Sequence, residues 1–398
     1  MHNHTHSHTH PHPSRRDFFA GLLQTSLAGA GVLKIARYRA AWAQALAPAA
    51  ASGLFEIQKV ADDVYFALAR PWALPNSNAA IFVNSSDVLV VDAHSHPAAA
   101  AALIAQIKSE ITPKPVRYVV DSHFHFDHTQ GNRAYLNTGN KVDIVASKTT
   151  KILMSQLLVP RLKAALDASG PQARGSQVVA RQIEDLRQRA GKSTSQAEKD
   201  QLQQRISQLE SFAAEMKDFK PALPTVTFDK TYVIKEKGYD LHLEFHGLAH
   251  TAGDIVVFCP QKRVIASGDA IHPGFPTFID AYPQPWPKTI DSVAKLQFDH
   301  TLPGHGRVQH DRKDMTGQRN YIEELTERVI AGKKAGQPVA DLQRTVTAAS
   351  LKSLHVEGYA IAATPEAMER GVKSNIDDMY DRVEKTAFTG NEPLRLRE

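Results

Sequence analysis

Apolar and polar positions along the chain follow two periods, and each period predicts a different kind of element. Short β-rich runs at 63–68, 79–83 and 87–92 are separated by turn residues, which predicts adjacent antiparallel strands. The run at 116–121 is largely apolar and predicts a fully buried strand. The segment that begins at Pro97 places its apolar residues on one face of a helix.

Helical periodicity also marks a long segment from about 150 to 220. Five apolar residues recur there every three or four positions: Leu202, Ile206, Leu209, Ala213 and Met216. Ser195 and Glu198 predict a capping box at the start of this helix, and an earlier apolar stripe around Ile183 predicts a partner helix. We expect an α-hairpin that acts as a lid over a cleft, mediates dimerisation or only decorates the surface.

The C-terminal part of the chain returns to a helical pattern. From Gln318 onward, "NYIEELTERVI" and "NIDDMYDRVEKT" have amphipathic faces. We assign 321–398 to a helical extension that covers a sheet or forms a homo-oligomer interface.

The N-terminal region resembles a targeting sequence and not part of the folded domain. Arg15 and Arg16 stand directly ahead of an apolar run, which resembles a twin-arginine export signal, and "AWAQALA" offers cleavage most simply after Ala43. Residues 1–43 are therefore predicted to be a His-rich tail and signal peptide, and the mature protein is predicted to be periplasmic. The histidine tract from His2 to His12 either binds metal loosely or is a solvated tail, and we assign it no catalytic role.

Composition excludes several classes of protein. The chain has 398 residues, 42% of them hydrophobic, and its net charge of +5 is spread too evenly for a nucleic-acid surface. No segment of the mature protein is long enough for a stable membrane anchor. The single cysteine, Cys259, rules out an intramolecular disulfide and a cysteine-rich zinc site.

The segment "SHFHFDHTQGN", residues 122–132, concentrates metal-ligating side chains just past the predicted strand at 116–121. Imidazole and carboxylate groups buried without partners cost free energy, so this density indicates a bound ion. His123 and His125 are two positions apart and project to the same side of an extended backbone. Asp127 and His128 follow, and are expected to turn toward a neighbouring point that suits a second metal.

The pattern "HFHFDH" resembles the signature of the metallo-β-lactamase superfamily. Three later segments resemble the family's other motifs and occur in the expected order, and they contribute His250 in "GLAHTAGDIVVF", Asp269 in "VIASGDAI" and His305 in "TLPGHG". The resemblance covers roughly 55–320, with the helical segment 150–220 as an insertion. It implies an α/β fold, an αββα sandwich of two mixed sheets with outer helices.

The resemblance also implies a dinuclear metal site. His123, His125 and His250 would hold one metal; Asp127, His128 and His305 would hold the other; Asp269 would bridge the two. Nitrogen and oxygen ligands fit zinc and also accept iron or manganese.

Two adjacent cations lower the pKa of a bridging water and polarise the bond under attack, which predicts hydrolysis by a bridging hydroxide. Asp127 is expected to orient that hydroxide and accept its proton. The expected substrate is a small ester, lactone, thioester or amide.

Three other functions remain open. Asp269 stands where dedicated β-lactamases usually carry cysteine or serine, so that activity is less favoured than thioesterase, lactonase or phosphodiesterase activity. A mononuclear iron enzyme similar to sulfur dioxygenases is a second alternative, although the second ligand set argues against it. A non-catalytic zinc carrier is the third, motivated by the histidine tract.

Several residues near the motifs have two interpretations each. His94 and His96 either line the cleft or belong to a plain loop, and His272 either faces substrate or does not; Asp92 matches the family's structural aspartate. Arg161 and Lys163 would meet an anionic substrate if the insertion is a lid. Four rings form either an apolar wall for substrate or the packing of the loop 273–287: Phe275, Phe278, Tyr282 and Trp286.

Overall fold

The computed structural model describes residues 53–70, 77–166, 174–217, 219–356, 359, 364–390 and 392. The predicted tail and export signal at 1–43, including the histidine tract, lie outside the described residues. Among the described residues, no helix is both long enough and apolar enough to cross a membrane.

Two β-sheets form the centre of the described structure. The strands of the first sheet are hydrogen-bonded in chain order: β1 (Phe55–Ala61), β2 (Val64–Ala69), β3 (Ala79–Val83), β4 (Val88–Val91), β5 (Val116–Val120), β6 (Asp143–Ser147) and β7 (Val226–Phe228). The strands of the second sheet, in chain order, are β8 (Thr231–Glu236), β9 (Tyr239–Glu244), β10 (Val256–Cys259), β11 (Val264–Gly268) and β12 (His300–Pro303).

Both sheets are mixed, as predicted. β1 to β4 pair antiparallel and β4 to β7 pair parallel. In the second sheet only the edge pair of β11 and β12 is parallel. The expectation of adjacent antiparallel strands at 63–68, 79–83 and 87–92 is confirmed by β2, β3 and β4.

Helices surround the sheets. In chain order the α-helices are α1 (Pro97–Gln106), α2 (Phe126–Thr129), α3 (Asn132–Leu136), α4 (Lys148–Leu153), α5 (Val159–Leu166), α6 (Arg174–Lys192), α7 (Gln196–Met216), α8 (Trp286–Val293), α9 (Lys313–Lys334), α10 (Val339–Thr345) and α11 (Pro365–Tyr380). Short π-helical turns follow α1 and α4, at Ile107–Ile111 and Met154–Leu158, and 3-10 turns lie at Ala348–Ser350 and Lys352–His355.

Three apolar layers build the sandwich. Phe66 and Phe82 of the first sheet pack with Leu241 and Val257 of the second sheet between the two sheets. On the outer face of the first sheet, α1 and α3 contribute to a second cluster, and on the outer face of the second sheet α8, α9 and α11 contribute to a third. Each buried methylene in such layers stabilises the fold by about 0.8 kcal/mol. The predicted αββα architecture is confirmed, and the C-terminal helices cover a sheet.

The strand at 116–121 is not fully buried, so that prediction is wrong for Arg117 and Tyr118. Val119 and Val120 are buried, whereas Arg117 and Tyr118 are half-buried. Arg117 reaches Asp143 on β6 at 2.7 Å and lies over the Tyr118 ring. This face of β5 therefore ends in a polar contact at the protein surface.

The insertion forms the predicted hairpin. Ile183 of α6 and Ile206 of α7 are buried in one apolar cluster. Ser195 caps α7 by accepting a hydrogen bond from the Glu198 backbone N–H, but the Glu198 carboxylate accepts from Ser193 instead of returning to Ser195. Ala213 is exposed, so the predicted stripe holds for four of its five residues. A role for this hairpin in dimerisation stays a prediction.

Candidate metal centre

The histidine-rich segment turns sharply at the end of β5. Asp92 accepts a hydrogen bond from the Ser122 backbone N–H at 2.9 Å, which fixes the start of the turn. His125 has extended backbone angles and stands at the N-cap of α2, so Asp127 and His128 lie on a helical turn. This change of backbone points the second pair of side chains toward a different position from the first pair, as the sequence predicted.

The other three candidate ligands come from the second sheet and its loops. His250 lies in the loop between β9 and β10, Asp269 directly follows β11, and His305 follows β12. Their approach requires glycine at one position, because a Cβ at Gly304 would stand 2.5 Å from Asp269 Oδ1 and 2.7 Å from His128 Cε1. Strand ends of both sheets thus converge on one point.

His123, His125 and His250 form the first donor group, with one ligand atom of each within 4.8 Å of the others. His125 Nδ1 and His250 Nε2 are 2.9 Å apart. His123 Nε2 is buried and has no hydrogen-bond partner. A buried polar atom in that condition is costly unless an ion or water satisfies it, so the group fits a metal.

Asp127, His128 and His305 form the second donor group. His305 Nε2 lies 3.2 Å from both His128 Nε2 and Asp127 Oδ2. Nitrogen and oxygen ligands around a tetrahedral zinc, at about 2.0–2.1 Å from the metal, are about 3.4 Å apart. The observed separations fit a shared cation.

Asp269 stands between the two donor groups. Its Oδ2 is 3.6 Å from His250 Nε2, while its Oδ1 is 3.6 Å from His128 Nε2 and 3.4 Å from His305 Nε2. One carboxylate oxygen therefore faces each group. The structure brings all seven predicted residues together, and their role as ligands stays a prediction.

Burial and charge define the electrostatics of this cluster. Burial lowers the pKa of His123 well below its usual value, so its imidazole is neutral, as a metal ligand must be. Burial opposes charge on His128 too, but the carboxylates of Asp92, Asp127 and Asp269 outweigh it and raise the pKa of His128. His305, with 11% of its side chain exposed, marks the side on which the cluster opens to solvent.

Each of two candidate ligands is held from behind by a carboxylate. His128 Nδ1 lies 2.8 Å from Asp92 Oδ2, which leaves Nε2 for the donor group. His125 Nε2 lies 3.0 Å from Asp280 Oδ2, which leaves Nδ1. Burial alone would raise the pKa of Asp280, but the Arg161 guanidinium and His125 hold it well below the usual range. Asp280 therefore stays ionised behind its histidine.

Sequence reasoning missed Asp280 and misplaced Arg161. Asp280 is 155 residues from His125, and no spacing rule connects them. Arg161 was expected to meet an anionic substrate, but its Nη1 and Nη2 bind Asp280 at 2.7 and 2.8 Å. Lys163 is exposed.

Three further histidines, His94, His96 and His272, lie outside the two donor groups. His94 is buried, its Nδ1 is 3.1 Å from the Ser77 carbonyl oxygen, and burial lowers its pKa to about 3. His96 is the N-cap residue of α1 and contacts Glu215 at 2.7 Å, which matches its interpretation as a loop residue near a helix start. His272 contacts the Pro273 carbonyl at 2.8 Å, and its ring lies 6.4 Å from that of His305.

The aromatic residues of the loop 273–287 pack the protein interior. All four rings are buried: Phe275, Phe278, Tyr282 and Trp286. Phe278 and Trp286 meet edge to face, and Trp286 lies 5.7 Å from the His250 ring. The loop therefore supports the cluster by packing and offers no open apolar wall.

Comparison with known proteins agrees with this geometry. The family profile described as "Metallo-beta-lactamase superfamily" matches residues 73–305, which span the two donor groups. A search of curated proteins gave no match.

The chain is similar to several solved structures at low sequence identity. A metallo-β-lactamase from Pontibacter korlensis has 18% identity and a TM-score of 0.45, with 68% of this chain and 99% of that one covered. A metallo-β-lactamase from Hirschia baltica has 18% identity and a TM-score of 0.44, with 67% and 97% covered. A stereoselective inverting sec-alkylsulfatase from Pseudomonas sp. has 16% identity and a TM-score of 0.57, with 92% of this chain and 55% of that one covered. The profile, the αββα sandwich and the convergent strand-end histidines together show that this chain belongs to the metallo-β-lactamase superfamily, whose members are generally hydrolases.

Proposed function

We propose that the protein is a zinc-dependent hydrolase with a dinuclear site, acting on a small ester, lactone, thioester or amide. The position of Asp269 carries the proposal, because its two oxygens face two different donor groups at 3.4–3.6 Å. His123, His125 and His250 would hold one ion, and Asp127, His128 and His305 the other. The donor atoms are all nitrogen and oxygen, which zinc accepts.

Zinc bound to such ligands would act as a Lewis acid and would lower the pKa of a coordinated water toward about 7. The chain's own groups prepare the rest. The cluster is largely buried, which limits the access of bulk water, and electrostatic interactions strengthen in such an environment. Asp127 is the proton acceptor, holding the proton at a carboxylate oxygen during attack.

Metal content is the first test. We would use full-length protein in which the histidines from His2 to His12 are replaced by asparagine, here termed the reference chain. A surface pair, His300 and His310, has its Nδ1 atoms 3.0 Å apart and can chelate a further ion, so a His300→Ala/His310→Ala variant serves as a control. Two zinc ions that persist in this control support the proposal, and a single iron contradicts it.

Turnover is the second test. The zinc-loaded reference chain would be screened against lactones, thioesters, carboxylic and phosphate diesters and β-lactams. An alkyl sulfate joins the panel because the likeness to the sec-alkylsulfatase extends over 92% of this chain. Asp127→Asn should lower kcat about 100-fold or more on any substrate found, since general acid–base catalysis contributes that much. Unchanged kcat would exclude the role assigned to Asp127.

A further inference from the structure

The helical insertion reaches the candidate metal centre through one arginine that is mostly covered. Arg161 lies on α5, and only 15% of its side chain is exposed. Its two terminal nitrogens bind the two oxygens of Asp280 at 2.7 and 2.8 Å. This is the bidentate arginine–carboxylate geometry, which fixes orientation as well as charge.

Asp280 in turn holds one candidate ligand. Its Oδ2 is shared between Arg161 and His125 Nε2, which is 3.0 Å away. A hydrogen bond at Nε2 sets the tautomer of the ring, so that the lone pair of Nδ1 points into the donor group. His125 Nδ1 is the atom that lies 2.9 Å from His250 Nε2.

The C-terminal extension holds the same loop from the other side. Arg382 follows α11 and donates to the backbone carbonyls of Asp280 and Ala281 at 2.8 and 2.9 Å. Arg382 is itself buried and pairs with Glu392 at 3.4 Å. Two segments outside the central sandwich therefore meet at Asp280.

We propose that Arg161 and Asp280 are positioning residues for His125, so that the helical insertion sets the zinc affinity of the first donor group. The inference rests on the proposed metal-binding function. It gives the start of the insertion a role that neither a lid nor a dimerisation element would have. The carboxylate fixes the ring, and the guanidinium fixes the carboxylate.

The experiment compares four variants of the reference chain: Arg161→Met, Asp280→Asn, the double variant and Lys163→Met. Zinc affinity is measured by competition with a chromophoric chelator, and the unfolding of the metal-free protein is measured in urea. Lys163→Met is the matched control, because Lys163 is an exposed cation on the same helix. Loss of a carboxylate behind a ligating histidine typically weakens metal binding about 10–100-fold.

We expect each single variant and the double variant to lower the affinity for one of the two zinc ions by about 10–100-fold. The loss of affinity in the double variant should be no greater than the larger loss in a single variant. Arg161→Met leaves Asp280 buried without its cation and is expected to lose stability. The double variant removes both charges, which is far better tolerated, and keeps the measurement possible if the single variant does not fold.

The outcomes separate the two proposals. A stable double variant that binds both zinc ions as tightly as the reference chain would show a merely structural ion pair and overturn the inference. A reference chain that binds two zinc ions, responds to these variants and hydrolyses nothing would overturn the proposed function alone. A reference chain that binds no zinc would overturn both.

Discussion

Two sides of the candidate metal centre use the same kind of carboxylate–histidine contact with different parts of the chain. On one side, His128 is held by Asp92, which follows β4 of the central sandwich and is 36 residues away. On the other side, His125 is held by Asp280, which is 155 residues away and is fixed by Arg161 of the insertion. The first support is local to the shared fold, and the second depends on segments added to it.

The difference means that the supports of the two donor groups come from different parts of the chain. The two histidines even present opposite nitrogens, Nε2 from His128 and Nδ1 from His125, because their carboxylates bind opposite edges of the rings. Changes in the insertion can therefore alter one donor group while the other keeps its geometry.

The largest expected effect comes from the residue that both sides share. Asp269→Ala removes the carboxylate whose oxygens face both donor groups, so we expect fewer than two zinc ions per chain by mass spectrometry. Hydrolysis should fall about 1,000-fold or more, since a metal site contributes several kcal/mol to the transition state. Asp299→Ala, at an exposed ion pair, is the control. Two tightly bound ions in Asp269→Ala would contradict the bridge.

The next prediction separates the two sides. Asp92→Asn is compatible with the positive φ of 71°, because asparagine tolerates that conformation. It should lower the zinc affinity of the second donor group by about 10–100-fold in the chelator competition, as Asp280→Asn is expected to lower that of the first. Combining Asp92→Asn with Asp280→Asn should lower the affinity for both zinc ions, with nearly additive changes in binding free energy. If both variants lower the affinity for the same zinc ion, the two carboxylates do not support separate donor groups.

Burial of His94 should make the folded protein sensitive to acid. Burial lowers the pKa of His94 from 6.5 to about 3 on folding. Between these two values the His94 ring is protonated in the unfolded chain but neutral in the folded chain. Stability is therefore lost as the pH falls from 7 to 5, by about 2 kcal/mol from this group.

His94→Asn tests this contribution, because asparagine suits the φ of 68° at this position. Urea unfolding of the metal-free protein at pH 7 and pH 5 should show a smaller loss in the variant. Equal losses in the two proteins would mean that His94 does not contribute.

The smallest effect is expected at the far end of the insertion. Glu215, near the end of α7, accepts from the Ala98 backbone N–H at 2.8 Å and so caps α1. Glu215→Ala should cost about 1 kcal/mol in unfolding free energy, as loss of a helix cap does. Zinc affinity should not change. Glu210→Ala, at an exposed ion pair on the same helix, should cost less. A change in zinc affinity for Glu215→Ala would extend the influence of the insertion beyond Arg161.

The predicted element types and ligand residues were visible because their signals are local. Short β-rich runs bounded by turn residues marked β2, β3 and β4, and the spacing within "HFHFDH" placed four candidate ligands on one short segment. The prediction of full burial was wrong at Arg117, because the strand pattern did not show that this residue near the start of β5 forms an ion pair close to the surface. It also left the rings around Phe278 undecided, since apolar composition fits a cleft wall and a core equally well.

The sequence predicted the β-rich runs, the helices and the histidine-rich segment from signals that act over few residues, and the resemblance carried by its four motifs implied the αββα architecture and the full set of seven candidate ligands. Only the tertiary structure decided what stands behind those ligands. Asp280 contacts His125 across 155 residues, and Arg161 contacts Asp280 across 119 residues. Such contacts leave no period in the chain, since they arise from packing and from the need of a buried carboxylate for a cation and a hydrogen-bond donor.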